Sequence, residues 1–268
     1  MIKRSASVAI QFDSCFSPFL SSEWQKGLQW VKDCAFDGVE LIISDPTLVD
    51  RYALHRTLEK LNLEVSTLST GQCAMLEGLS MTSAASYIRS ATNLRIQQNI
   101  DFSVEFGKPN VTIGLIRGKG GILPKSKEHD LLVNELTKAV DYAAKKNVML
   151  NLEPINRYEC SLINSSKSAY DLIMDMGNPP NVGILYDTFH SNIEDNNIFK
   201  TIEEIGNKIT HVHFADSNRR LPGEGHLDFS LIKKVLNKVG YDGYISLEVL
   251  NIPSEQHIID CAQVSMAL

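Results

Sequence analysis

The chain has 268 residues, is 43% hydrophobic and carries a formal net charge of −6, with a pI near 5.7. That length accommodates one large core, as single-domain α/β barrels have. The acidic balance argues against a nucleic-acid surface, and no apolar run reaches membrane-spanning length.

The N-terminal MIKRSASVAIQFD has two basic residues, but its apolar run is too short for a secretory signal. The five cysteines, at 15, 34, 73, 160 and 261, are odd in number and form no CxxC. They read as reduced thiols of a cytoplasmic protein.

In chain order, short β-branched runs alternate with amphipathic stretches. SVAIQF (7–12) predicts a first strand, WQKGLQWVKDCAF (24–36) a helix, GVELIIS (38–44) a second strand and EVSTLST (64–70) a third. A helix over 87–106 precedes NVTIGLI (110–116), and one over 130–146 precedes NVMLNLE (147–153). NSSKSAYDLIMDMG (164–177) opens on cap-like serines and stops at Gly177. VGILYDT (182–188), ITHVHFAD (209–216), a helix over 229–240 and YISLEVL (244–250) complete the series. The runs are mostly apolar, as in parallel strands covered on both faces.

Eight strands with about eight helices, at about 33 residues per unit, favour a closed (β/α)8 TIM barrel over an open doubly wound sheet. No linker or repeat divides the chain, so it reads as one domain over 1–268. The longest irregular segment, RGKGGILPKSKE (117–128), follows the fourth strand, where barrel enzymes carry mobile loops. Its GKGG lacks the spacing of a dinucleotide fingerprint.

Barrel chemistry sits at the C-terminal strand ends. The fifth strand ends at Glu153, the sixth at Asp187 with His190 nearby, the seventh carries His211 and His213, and the eighth ends at Glu248. Glu153, Asp187, His213 and Glu248 are 34, 26 and 35 residues apart, about one βα unit each. They therefore meet along one quadrant of the mouth. Three converging carboxylates repel and raise one another's pKa unless a cation is present. Three oxygen ligands and one imidazole suit Mn2+, Mg2+ or Co2+, with Zn2+ also compatible. His211, two residues deeper on the same strand face, reads as an interior residue. His226, in the loop after the seventh strand, stays open as a substrate contact.

The segments LEPINRYE, YDTFHSNIE, HVHFADSNRRLPGEGHLDF and GYISLEV resemble the xylose isomerase-like TIM-barrel superfamily of sugar isomerases and epimerases. Within it the chain is most similar to ketose 3-epimerases, the tagatose and psicose 3-epimerase group. STGQ, GLSMT and TIGLIRG resemble the branch containing 5-keto-L-gluconate epimerase. The resemblance implies one divalent ion, commonly Mn2+, on Glu153, Asp187, His213 and Glu248. It makes Glu153 and Glu248 the acid/base pair, and Glu159, His190 and Arg219 substrate contacts. Glu40, in GVEL, also matches a feature near the site, either in the mouth or behind the ligands. Dimers or tetramers are implied, although no interface is legible.

The implied reaction inverts C3 of a ketose or keto sugar acid, such as 5-keto-L-gluconate or D-tagaturonate. One glutamate removes the proton next to the carbonyl and the other returns one, while the metal stabilises the enediolate. Arg117, just past the fourth strand, is a candidate for holding a substrate carboxylate, since arginine binds carboxylate bidentately. Arg157 and Arg220 are rivals, and Gln72 is a further polar contact. The competing expectations are an aldose–ketose or hydroxypyruvate isomerase, a dehydratase of inositol catabolism, and a non-catalytic sugar-binding barrel. An endonuclease IV-like DNA-repair enzyme needs a histidine-rich trinuclear zinc site, which seven histidines in an acidic chain do not favour.

Overall fold

A computed structural model describes residues 2–267. Its elements run β1 (Lys3–Ala9), α1 (Trp24–Asp33), β2 (Gly38–Ile42), α2 (Arg51–Leu61), β3 (Glu64–Ser69), α3 (Gly71–Glu77), α4 (Ser86–Glu105) and β4 (Asn110–Ile113). The chain continues through α5 (Lys125–Lys146), β5 (Leu150–Leu152), α6 (Ser166–Asp175), β6 (Val182–Asp187), α7 (Thr188–Glu194), α8 (Ile198–Ile205), β7 (Ile209–Phe214), α9 (Phe229–Lys238), β8 (Tyr244–Leu247) and α10 (Glu255–Ser265). The eight strands close in sequence order into one parallel barrel, the (β/α)8 architecture that the alternation predicts.

The main apolar layer lies between barrel and helices, where Leu28, Leu41, Ile96, Ile100, Leu136 and Ile232 are fully buried. Inside the barrel the character changes to polar. Ser5 and Ser246 hydroxyls meet at 2.6 Å, Thr67 and Thr112 at 3.1 Å, and Thr210 donates to Asn151 at 2.7 Å. Each of these hydroxyls thus finds a partner, which offsets its removal from water.

Local chemistry explains most boundaries. The serines expected to open α6 do so as a capping box, with Ser165 and Ser168 bonding each other's backbone N–H. Asp50, Asp228 and Ser254 cap α2, α9 and α10. The first strand differs from expectation. It begins at Lys3 and ends at Ala9, because Lys3 to Ala6 pair with β8. Ser5 and Ser7 weaken the apolar signal there because they face the polar interior. Gln11 instead ties the mouth, accepting from the backbone N–H of Ser44 and Asp45. The fourth strand is also shorter than predicted. It stops at Ile113, and Leu115–Arg117 forms a 3-10 turn.

Candidate active site

Glu153 is the first residue after β5, and its N–H still bonds Ile113 O across the ladder. Glu248 stands likewise after β8, its N–H donating to Phe214 O. Asp187 ends β6 and also caps α7. Its Oδ1 accepts from the N–H of Phe189 and His190, which leaves Oδ2 to face the barrel axis. His213 pairs in register with Asp187 and Ser246.

These four side chains converge, with one ligand-type atom from each lying within 4.8 Å of the others. His213 Nδ1 is 3.1 Å from Glu248 Oε2, 3.5 Å from Asp187 Oδ2 and 3.9 Å from Glu153 Oε1. It is buried and has no hydrogen-bond partner. A buried polar atom without a partner is costly. An imidazole lone pair aimed at three carboxylates fits a hard divalent ion, whose charge also relieves the carboxylate repulsion.

Burial, and then the charge of Glu248, push the Glu153 carboxyl up to about 8. Burial acts the same way on Asp187, but Arg219, His190 and His213 together outweigh it and hold this carboxyl well below the usual range. Burial opposes protonation of His213, yet Glu248 and Glu40 together raise its pKa well above the ordinary value. At neutral pH without an ion, Glu153 and His213 therefore hold protons.

Arg219 reaches the cluster from the loop after β7. It donates to Asp187 Oδ2 at 2.6 Å and to Glu248 Oε2. Its guanidinium lies between the rings of Phe16 and Phe189, 5.1 and 5.0 Å from their centroids. Its backbone is in the left-handed region, φ +62°. The loop is braced by Asp216, which accepts from the N–H of Ser217, Gly223 and Leu227.

His190 and Glu159 meet through Asn156, a residue the sequence reading passed over within LEPINRYE. Tyr158 N–H donates to Asn156 Oδ1, so the amide nitrogen points to Glu159 Oε1 at 2.8 Å and His190 Nδ1 at 2.8 Å. His190 Nδ1 is thereby an acceptor, and Nε2 carries the proton, 3.9 Å from Glu153 Oε1. Burial keeps this imidazole neutral by lowering its pKa to about 4.

A cavity of about 190 Å³ opens over these groups, lined by Glu153, Glu159, His190, Arg219, Glu248 and Gln72 with apolar Phe16, Leu76, Leu115 and Ile155. Gln72 donates to Phe12 O and Asp13 O, while its Oε1 is buried without a partner. A glycine at the cavity wall leaves room for the Glu153 carboxylate. A Cβ on Gly114 would stand 2.4 Å from Glu153 Oε2. A wider groove at the opposite end of the barrel, beside Lys3, His55, Glu64 and Phe106, brings no cluster of ligand-type residues together among the described residues.

The expectation for Arg117 does not hold. The 3-10 turn that follows Gly114 carries it inward, and it is fully buried. Its guanidinium donates to the carbonyls of Gly114, Leu162 and Ile163 and touches Cys160 Sγ, so it is committed to backbone acceptors and lies outside the cavity lining, away from a substrate carboxylate. Arg157 forms a two-point pair with Glu194 and Arg220 lies outside the cavity lining. His226 is exposed and also lies outside that lining. His211 is an interior residue, bonded to Ser246 Oγ at 2.9 Å.

The L-ribulose 3-epimerase of Mesorhizobium japonicum is 31% identical over 230 residues, 85% of this chain and 75% of that protein. The 3-dehydro-D-guloside 4-epimerase of Escherichia coli K12 is 32% identical over 127 residues, 47% of this chain and 48% of that one. The solved structure of an L-ribulose 3-epimerase, 26% identical, covers 100% of this chain and 87% of its own with a TM-score of 0.81. All three are epimerases, isomerases acting on sugars. The pattern of the xylose isomerase-like TIM barrel matches residues 28–263, and the chain belongs to that family.

Proposed function

We propose that this protein is a divalent-metal-dependent epimerase that inverts C3 of a neutral ketose. The observation that carries this reading is the convergence of Glu153, Asp187, His213 and Glu248, two of which, Glu153 and Glu248, line the cavity. Those four residues would hold the ion, with Mn2+ the expected one. When bound, it supplies Lewis-acid stabilisation of charge that develops on the substrate oxygens.

The protein's own groups do the rest. Glu153 and Glu248 both line the cavity, and one removes the C3 proton while the other delivers a proton to the opposite face. Two acids of one kind suit a reaction that runs in both directions. His190 offers its Nε2–H and Arg219 its guanidinium to substrate oxygens. Asn156 holds Glu159 and His190 in one orientation, and the unpartnered Oε1 of Gln72 accepts from a sugar hydroxyl. The apolar wall of Phe16, Leu76, Leu115 and Ile155 excludes water around the reacting carbon.

The neutral substrate is favoured by the cation inventory. Among the described residues lining the cavity, Arg219 is the sole guanidinium and no lysine is present. Its charge is already matched by Asp187 and Glu248, so a keto sugar acid finds no unpaired cation there, while the remaining N–H groups still reach neutral oxygens.

Solvent deuterium exchange into candidate ketoses with Mn2+ tests the reading. Label should enter at C3 and the epimer should accumulate. Glu153→Gln and Glu248→Gln should each reduce turnover by at least about a hundredfold while retaining some metal. Turnover surviving in Glu248→Gln rules out the two-base mechanism. No exchange over a broad panel with metal bound points to a binding role. The similarity to a 4-epimerase over nearly half the chain supports a second reading, inversion at C4 of a keto glycoside, which places the label at C4.

A further inference from the structure

Strand β2 reads GVELI, an apolar run interrupted by one acid. Glu40 is fully buried, and a buried carboxylate is costly unless other groups require it. It reaches across the barrel to β7. Its Oε2 lies 3.0 Å from His213 Nε2 and 3.4 Å from His211 Nε2, while its Oε1 has no partner. His213 thus presents its two ring nitrogens to two different surroundings. Nε2 faces Glu40, and Nδ1 faces Glu153, Asp187 and Glu248 without a hydrogen bond.

As a metal ligand His213 must be neutral, and a neutral imidazole has one N–H and one lone pair. A carboxylate only accepts, so Glu40 fixes the proton on Nε2 and leaves the lone pair on Nδ1, on the side of the carboxylates. His211 is held from the side by Ser246, whose hydroxyl meets Ser5. The spacing between Glu40 and His213 is that of a hydrogen bond, and the imidazole ring separates Glu40 from the other ligands.

We infer that Glu40 is a positioning residue: it orients His213 and sets its tautomer for metal binding, and is not itself a ligand or a second metal site. The inference rests on the metal reading proposed above. It assigns the acid of β2 a function that acts through His213 alone. Partners of this kind behind a ligating histidine raise metal affinity by about 10–100-fold.

Zn2+ is a suitable probe because it is diamagnetic. Calorimetry on the whole chain should give one Zn2+ per protein, and 13C/15N NMR of the loaded protein should place the His213 proton on Nε2. Glu40→Ala should bind Zn2+ about 10–100-fold more weakly. Glu40→Gln, equal in shape but uncharged, should lose less, and Glu40→Asp should recover part of the loss. Both polar variants should shift the His213 ring resonances. The Gln variant decides the matter if the Ala variant does not fold. Unchanged affinity and unchanged His213 resonances in Glu40→Gln overturn the inference, as does a His213 proton on Nδ1. So does a wild type that binds two Zn2+ and loses one in the Glu40 variants. A wild type that binds no divalent ion overturns the metal reading itself, and the inference with it.

Discussion

Two loops at the barrel mouth each bury an arginine, and they use it in opposite ways. After β4, Arg117 turns away from the cavity and joins the carbonyls of Gly114, Leu162 and Ile163. It fastens the segment that follows Glu153 to the turn that follows β4. After β7, Arg219 turns toward the cavity and meets the carboxylates of Asp187 and Glu248. Burial lowers the charge preference of both guanidinium groups, but at Arg219 neighbouring carboxylates more than reverse it. The same side chain is thus a backbone clamp in one loop and part of the reactive surface in the other. What separates them is whether the available acceptors are backbone carbonyls or ionised acids.

Substitution should separate these roles. The largest kinetic effect is expected for Arg219→Ala. Its kcat/KM should fall on the order of a hundred- to a thousandfold, while the metal-loaded protein stays folded by circular dichroism. Arg117→Met should behave in the reverse manner. Three buried carbonyls lose their donor, and stability should fall by about 3–5 kcal/mol in urea unfolding. The folded fraction should turn over acidic and neutral ketoses in the wild-type ratio. Selective loss on acidic substrates would return Arg117 to the site.

The cluster served by Arg219 also predicts a pH dependence that the Arg117 loop lacks. Without an ion, Glu153 titrates near 8 and His213 well above its ordinary value. Both are raised, so a metal must displace protons, and its affinity should climb as pH rises toward about 8. A slope of about tenfold per pH unit for each proton released is expected, measurable by calorimetry in buffers of different ionisation enthalpy. By the same sign, Glu153 and His213 bind more protons in the folded than in the unfolded metal-free protein, so their contribution to stability falls as pH rises from about 6.5 to about 8, whereas the lowered His190 and His211 act the other way below that range. The smallest effect belongs to Arg157→Ala. Arg157 is exposed and pairs with Glu194 outside the cavity lining, so kcat/KM should stay within about twofold.

Much of this was legible in the sequence. Alternating apolar runs marked all eight strands, since parallel strands covered on both faces leave a strong signal. The spacing of Glu153, Asp187, His213 and Glu248 placed them at successive strand ends, because one βα unit advances the chain by one strand. The orientation of Arg117 was not legible. A single 3-10 turn after Gly114 decides which way that side chain points, and the residues GLIRG specify no direction. Asn156 was missed because its role comes from two partners brought together by the fold. Phe16 and Phe189 were missed for the same reason, since they flank Arg219 from a loop and from α7, 173 residues apart. Helices α2, α3, α7, α8 and α10 escaped individual assignment. The two shortest of them, α3 and α7, have only seven residues each, too few to show a clear helical period.

Gly114 gives the site a boundary drawn by a missing atom. A methyl group there would meet only the tip of the Glu153 side chain. The barrel can absorb that collision simply by swinging the carboxylate aside. Such a change would be nearly silent in folding and loud in chemistry. In this chain the missing methyl is therefore what lets the carboxylate stand where the cavity needs it.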